Sequence, residues 1–143
     1  MVRRRAFTPA ALVAVVLGGA IGVALRAVLQ VPLEAADSDL ALPVATLAIN
    51  VTGSFLLGIL VGWAGERHAL LRAFAGTGIL GGFTTYSAFA VQLVELGGTA
   101  PVVSLALAGV SVFGGVIAAA VGLRLGHLMA GVADRVEIPE AAE

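Results

Sequence analysis

Nearly all charged side chains in this 143-residue chain lie at its ends or in short connections, the exceptions being Arg26, Arg72 and Glu95 toward the ends of apolar runs. Four apolar stretches remain, about 9–29, 41–64, 70–96 and 102–123, each long enough to cross a hydrocarbon layer about 30 Å thick. Such a chain must satisfy its backbone polar groups inside lipid, which helices do segment by segment. The expected fold is an all-α membrane protein, a single four-span domain over 1–143 with no soluble domain beside it. Arg3-Arg4-Arg5 ahead of an apolar run imitates a secretory signal. That run exceeds a usual signal core and three more follow, so the first span is read as retained. The absence of Cys excludes disulfides and thiolate metal sites.

The third stretch is poorly suited to plain helix. Gly76, Gly78, Gly81 and Gly82 with the pair Thr84-Thr85 sit near its centre, and each glycine costs a helix about 1 kcal/mol relative to Ala. A break there is expected, and it has chemical consequences. Carbonyls at the end of one half-helix and N–H groups at the start of the next lose their ladder partners and must be met by protein, water or an ion. Carbonyls around Gly81 to Thr85 suit a hard cation such as Na+. The N–H groups entering the second half, with the hydroxyls of Thr84, Thr85 and Ser87, suit an anion. A bare glycine crossing between two helices is the simpler alternative.

The other spans carry stripes of small and polar residues. In the first, Gly18, Gly22 and Arg26 share one helix face. An arginine at mid-membrane costs about 2.5–3.5 kcal/mol, so Arg26 either faces protein or water within the bundle or snorkels to the interface. The second span aligns Thr46, Asn50, Gly53, Ser54 and Gly58. Asn50 offers two amide donors, as interhelical glue or as a ligand group. Span four aligns Ser104, Ala108, Ser111, Gly115, Ala118 and Gly122, which reads as close packing or as a track of hydroxyls. The connection 30–40 reads as a solvated acidic loop, Gly65 to His68 as a tight turn with a loop histidine, Gly97 to Pro101 as a short turn, and the tail from Met129 as fraying into solvent.

Enzyme signatures are absent. No His, Asp and Glu stand at metal-ligand spacing and no nucleophile is paired with a base. The Gly-x-Gly-x-x-Gly string 76–81 lies inside a membrane span without a preceding strand. Tyr86 and Phe89, three apart, share a face and could turn their electropositive ring edges to an anion. With Asn50 and Ser111 they would make a route of neutral donors, from which a small anion can leave more readily than from fixed charges.

Three motifs occur in order: Gly18-Gly19-x-x-Gly22-x-x-x-Arg26, Thr46-Leu47-x-x-Asn50-x-x-Gly53-x-Phe55, and Gly81-Gly82-Phe83-Thr84-Thr85-Tyr86-Ser87-Ala88-Phe89. Together they resemble the bacterial fluoride channel (Fluc) family across all four spans. The resemblance implies an antiparallel dimer of four-helix subunits in the bacterial inner membrane, with two fluoride pores and passive export of F− that limits its toxicity. It also implies a central structural Na+ held by backbone carbonyls that map onto Gly82 and Thr85 of both subunits. By the same mapping Tyr86 and Phe89 are the pore aromatics, Asn50 the span-two donor, Ser111 the span-four hydroxyl, and Arg26 the family's span-one arginine. Departures from the family pattern are Tyr86, usually Phe; Leu107, where some members carry Tyr; and Gln92, where a carboxylate is common. Two other classes fit a four-span chain: a proton-coupled drug transporter, which needs a carboxylate inside the bundle where this chain has only Glu95 near a span end, and a non-transporting assembly subunit.

Seven arginines, at positions 3, 4, 5, 67, 72, 124 and 135, fall on the side of the N-terminus. The positive-inside rule then places both termini in the cytoplasm. A protein inserting in both orientations should show little bias, so this chain is expected to be the fixed-topology member of an oppositely oriented pair. Expressed alone and mapped by accessibility of its termini, it should show one orientation; equal amounts of both exclude that reading.

Overall fold

A computed structural model describes residues 8–34, 38–65 and 68–136, with side chains to residue 131. Arg3 to Arg5, Asp37, Arg67 and the chain after 136 lie outside the described residues, and so does the side chain of Arg135. Among the described residues every regular element is helical. Helix α1 is Pro9–Gln30, capped by the Thr8 hydroxyl, which accepts from the Ala11 N–H at 3.2 Å, and followed by a 3-10 turn at Val31–Leu33. Helix α2 is Ala41–Ala64. It ends at Gly65, whose φ of 50° is open to glycine and strained for other residues. Beyond the turn, His68 stacks on Trp63 with ring centroids 5.4 Å apart, and Arg72 donates to the Gly65 carbonyl at 2.8 Å.

The third span is built in two pieces. The first, α3 (69–83), is an α-turn at Ala69–Leu71, a π-helix at Arg72–Leu80 and a further α-turn at Gly81–Phe83. Thr84 and Thr85 are extended, with φ/ψ of −76°/155° and −148°/123°. Helix α4 then runs Tyr86–Thr99, and α5 runs Pro101–Val136. The expected break is present. It begins two residues after the glycine pair, because Gly81 and Gly82 still belong to α3.

Two expectations need correction. Gly97, Gly98 and Thr99 are helical and the turn shrinks to Ala100, whose N–H donates to the Leu96 carbonyl at 2.7 Å. Pro101, which lacks an N–H to satisfy, opens the next helix at once. The helix of span four also continues past 123 and through Met129 to Val136, where fraying was expected. No proline interrupts it between 101 and 139, and its turns as far as His127 lie against α2.

Helices of like direction pair along glycine seams. In one pair, Gly58 and Gly62 of α2 face Gly122 and Gly126 of α5, so closely that a Cβ at Gly126 would stand 2.8 Å from the Trp63 nitrogen and 3.0 Å from the Gly62 Cα. In the other, Gly18 and Gly22 of α1 face Gly78 and Gly82 of α3; a Cβ at Gly82 would stand 2.5 Å from the Gly19 carbonyl oxygen. In lipid, which competes for apolar side chains as well as protein does, such backbone contact is a main source of helix association. The buried apolar side chains among the described residues number four, Ala14, Ile49, Ala64 and Leu96. A core that small cannot hold four helices in water, and exposed leucines and valines cover the outer faces of the bundle. The four spans, Pro9–Leu33, Ala41–Ala64, Ala69–Thr99 and Pro101–Gly131, have the length and hydropathy to cross a membrane.

Gly126→Val therefore drives α2 and α5 apart, at a cost of roughly 1–3 kcal/mol for an overpacked contact. Melting temperature in detergent should fall for this variant and stay unchanged for Gly109→Ala, where an added Cβ meets open space.

Candidate functional site

The break is held by one side chain from another helix. Asn50 of α2 accepts from the Thr85 N–H through Oδ1 and donates through Nδ2 to the Thr85 carbonyl, both at 2.9 Å. The amide thus replaces both ladder bonds that the extended residue forfeits. The remaining groups at the break are met locally. The Thr84 N–H and hydroxyl both donate to the Leu80 carbonyl, at 3.0 and 2.9 Å, closing the end of α3. The Thr85 hydroxyl caps α4 by accepting from the Ala88 N–H at 3.2 Å and lies 3.3 Å from the Ser87 hydroxyl. Thr85 is buried as a result, although it sits where the helix is broken.

This arrangement opens a groove of about 470 Å³ between α2, the break and α5. Asn50, Tyr86, Phe89 and Ser111 all line it, together with Ser54, Thr84 and Thr85. No charged side chain is among its lining residues. The Tyr86 and Phe89 rings lie 6.3 Å apart at 52°, a tilted pair that presents edges as well as faces. Phe89 is half-buried, whereas Tyr86 is 81 % exposed and projects from the subunit. Ser111 is buried.

The other expected site residues lie elsewhere. Gly82 is outside the groove, turned to Gly19 of α1. Arg26 is half-buried one turn beyond Gly22, also away from the groove. Of the further polar residues in the stripes, Thr46 is fully buried and accepts from Gln30 Nε2 at 2.8 Å, tying the end of α1 to α2. Ser104 donates to the Leu93 carbonyl at 2.7 Å, tying α5 to α4. Those hydroxyls serve packing. Gln92 lines a separate pocket of about 360 Å³ with Glu34, Asp39 and Glu95, and its buried Oε1 has no partner among the described residues. Ser54 is the groove residue that sequence reasoning left inside a packing stripe. Its position one helical turn after Asn50 was the available signal.

The site needs the clamp for its shape. Asn50→Ala strands the Thr85 N–H and C=O, at roughly 1–3 kcal/mol for each unsatisfied group. The variant should melt several degrees lower in detergent, while Ser111→Ala, which touches no bond of the clamp, should melt with the unsubstituted chain.

Comparison with known proteins gives a consistent result. A family model described as CrcB-like protein, Camphor Resistance (CrcB), matches residues 13–123, which takes in both half-helices of the break. Fluoride-specific ion channel FluC 2 of Bacillus subtilis (strain 168) is 39 % identical over 129 residues, covering 89 % of this chain and 95 % of the relative. Fluoride-specific ion channel FluC of Novosphingobium aromaticivorans is 40 % identical over 126 residues, covering 83 % and 95 %. The channel of the same name from Cereibacter sphaeroides is 41 % identical over 125 residues, covering 85 % and 91 %. With four apolar spans, the glycine seams and the broken third span all inside the matched region, the chain belongs to the CrcB family of multi-pass bacterial membrane proteins.

Proposed function

We propose that the chain is a subunit of a fluoride-specific channel that lets F− leave the cell passively and so limits its toxicity. The observation that carries this reading is the groove, where Asn50, Tyr86, Phe89 and Ser111 meet along a path with neutral polar groups and no fixed charge. Asn50 spends one amide N–H on Thr85 and keeps a second for an anion. The N-terminus of α4 opens at the break, and the positive end of its dipole favours negative charge there. Aromatic edges and hydroxyls then replace the shed water in steps, while the absence of a cation avoids trapping the ion. The drug-transporter alternative loses ground for the same reason, since no carboxylate lines the path. The relatives are named as ion channels, and the chain is a channel subunit and not an enzyme.

The partner in this reading is a second subunit in antiparallel orientation, either the same chain or a paralogue. Tyr86 supports the pairing: a phenol 81 % exposed on an apolar face beside an open groove calls for a surface to cover it. The arginine asymmetry favours a paralogue.

A structural Na+ at the dimer centre is part of the same proposal, with the carbonyls of Gly82 and Thr85 as its ligands. The donor chemistry fits a hard cation. Gly82 is in the last turn of α3, where carbonyls lack the following turn, and the Thr85 carbonyl keeps a lone pair beside its bond from Asn50. Two oxygens fall short of a full shell, so both subunits must contribute. Such an ion would supply charge that joins the two breaks and would not be transported.

Liposomes holding the chain, alone or together with its oppositely oriented partner, should release fluoride and retain chloride, and Phe89→Ala should lose the fluoride flux. Chloride efflux as fast as fluoride efflux sinks the proposal.

A further inference from the structure

The register of α2 against α5 advances in steps of four on both helices. Gly58 meets Ala119 and Leu123, and Gly62 meets Leu123 and His127. One turn earlier Ser54 faces Gly115, and one turn earlier again Asn50 and Ser111 line the same groove. At the level of Gly58 the backbones close on each other, with a Cβ there standing 2.9 Å from the Leu123 nitrogen. At the level of Ser54 they do not: the Gly115 Cβ position is 3.5 Å from Ser54 Oγ, and Gly115 leaves that space open to the groove. Ser54 is half-buried, and its hydroxyl has no hydrogen-bond partner among the described residues. The other hydroxyls at the break, those of Thr84 and Thr85, are engaged with Leu80 and with Ala88 and Ser87.

We infer that Ser54 is an anion-binding residue of the conduit, which donates its O–H to fluoride at the next level along the groove from Asn50 and Ser111. The inference rests on the fluoride-channel reading. It assigns Gly115 a role as well, that of keeping the hydroxyl uncovered. A path with donors at only one level would release the ion into the apolar lining of Leu57, Leu80 and Ala119. With Ser54 a donor persists to the end of the interhelical gap, on the side of the arginine-bearing turn.

The test is fluoride efflux from liposomes holding the full chain, read over a series of fluoride concentrations, for the unsubstituted protein, Ser54→Ala and Ser54→Thr. Ser54→Ala should slow efflux on the order of tenfold, the effect of losing one hydrogen bond to a charged group, and raise the half-saturating fluoride concentration. Ser54→Thr, which keeps the hydroxyl, should recover most of the rate. Efflux from Ser54→Ala at the unsubstituted rate overturns the inference and leaves the channel reading intact. Equal slowing in both variants, with a lowered melting temperature, makes Ser54 a packing residue and also overturns it. No fluoride efflux from the unsubstituted chain, either alone or combined with an oppositely oriented paralogue, overturns both.

Discussion

The paired hydrogen bonds between Asn50 and Thr85 are the interaction on which the rest of the structure depends. An extended residue inside a membrane span exposes an N–H and a C=O to a medium that solvates neither. A hydroxyl could satisfy one of them. A carboxylate could accept from the N–H but would face the carbonyl with like charge. An amide supplies one donor and one acceptor in the spacing of a peptide, and it does so with a donor left over. The clamp also joins two halves of the bundle that otherwise meet little, because α1 packs on α3 and α2 on α5. One side chain therefore stabilises the break, links the helix pairs and faces the groove.

The glycine seams set the geometry in which that side chain works. Backbone contact at Gly58, Gly62, Gly122 and Gly126 holds α2 and α5 close at one end, and the helices stay in register as they separate toward Asn50 and Ser111. On the other side, Gly18 and Gly22 bring α1 against the π-helical stretch. A π-helix nine residues long is unusual and leaves a wider turn than an α-helix. Gly76 and Gly78, with no Cβ to crowd the neighbouring helices, are the residues in it that lie buried. Tight packing along one stretch of α2 and α5 and an opening along the next come from the same residue type, placed at different levels.

Much of the fold was legible in the residues alone. Four long apolar runs with few charges mark four spans because lipid admits few charges, and glycine and threonine at the centre of the third mark a break because both are poor helix formers. Asn50, Tyr86 and Phe89 were also legible, through motifs that resemble a known family, and Ser111 through the stripe of small and hydroxyl residues in the fourth span. Other features were not. The π-helix has no letter pattern of its own, being a choice between i−4 and i−5 partners that packing against α1 makes. The continuation of α5 past 123 follows the glycine contacts with α2 as far as His127, and the closing of the last turn to Ala100 depends on Thr99 and Leu96 staying helical against α5.

Sequence by itself determined the number of spans, the existence of the break and the side chains that the break brings with it, because hydrophobicity and helix propensity act locally along the chain. Tertiary structure alone decided which polar groups are spent and which are free. Thr46, Ser104 and the hydroxyls of Thr84 and Thr85 are spent on neighbours, while Ser54 and Ser111 open into the groove. All six have the same chemistry on paper. What separates them is whether a partner from another turn or helix lies within hydrogen-bond reach, and that depends on how the helices cross.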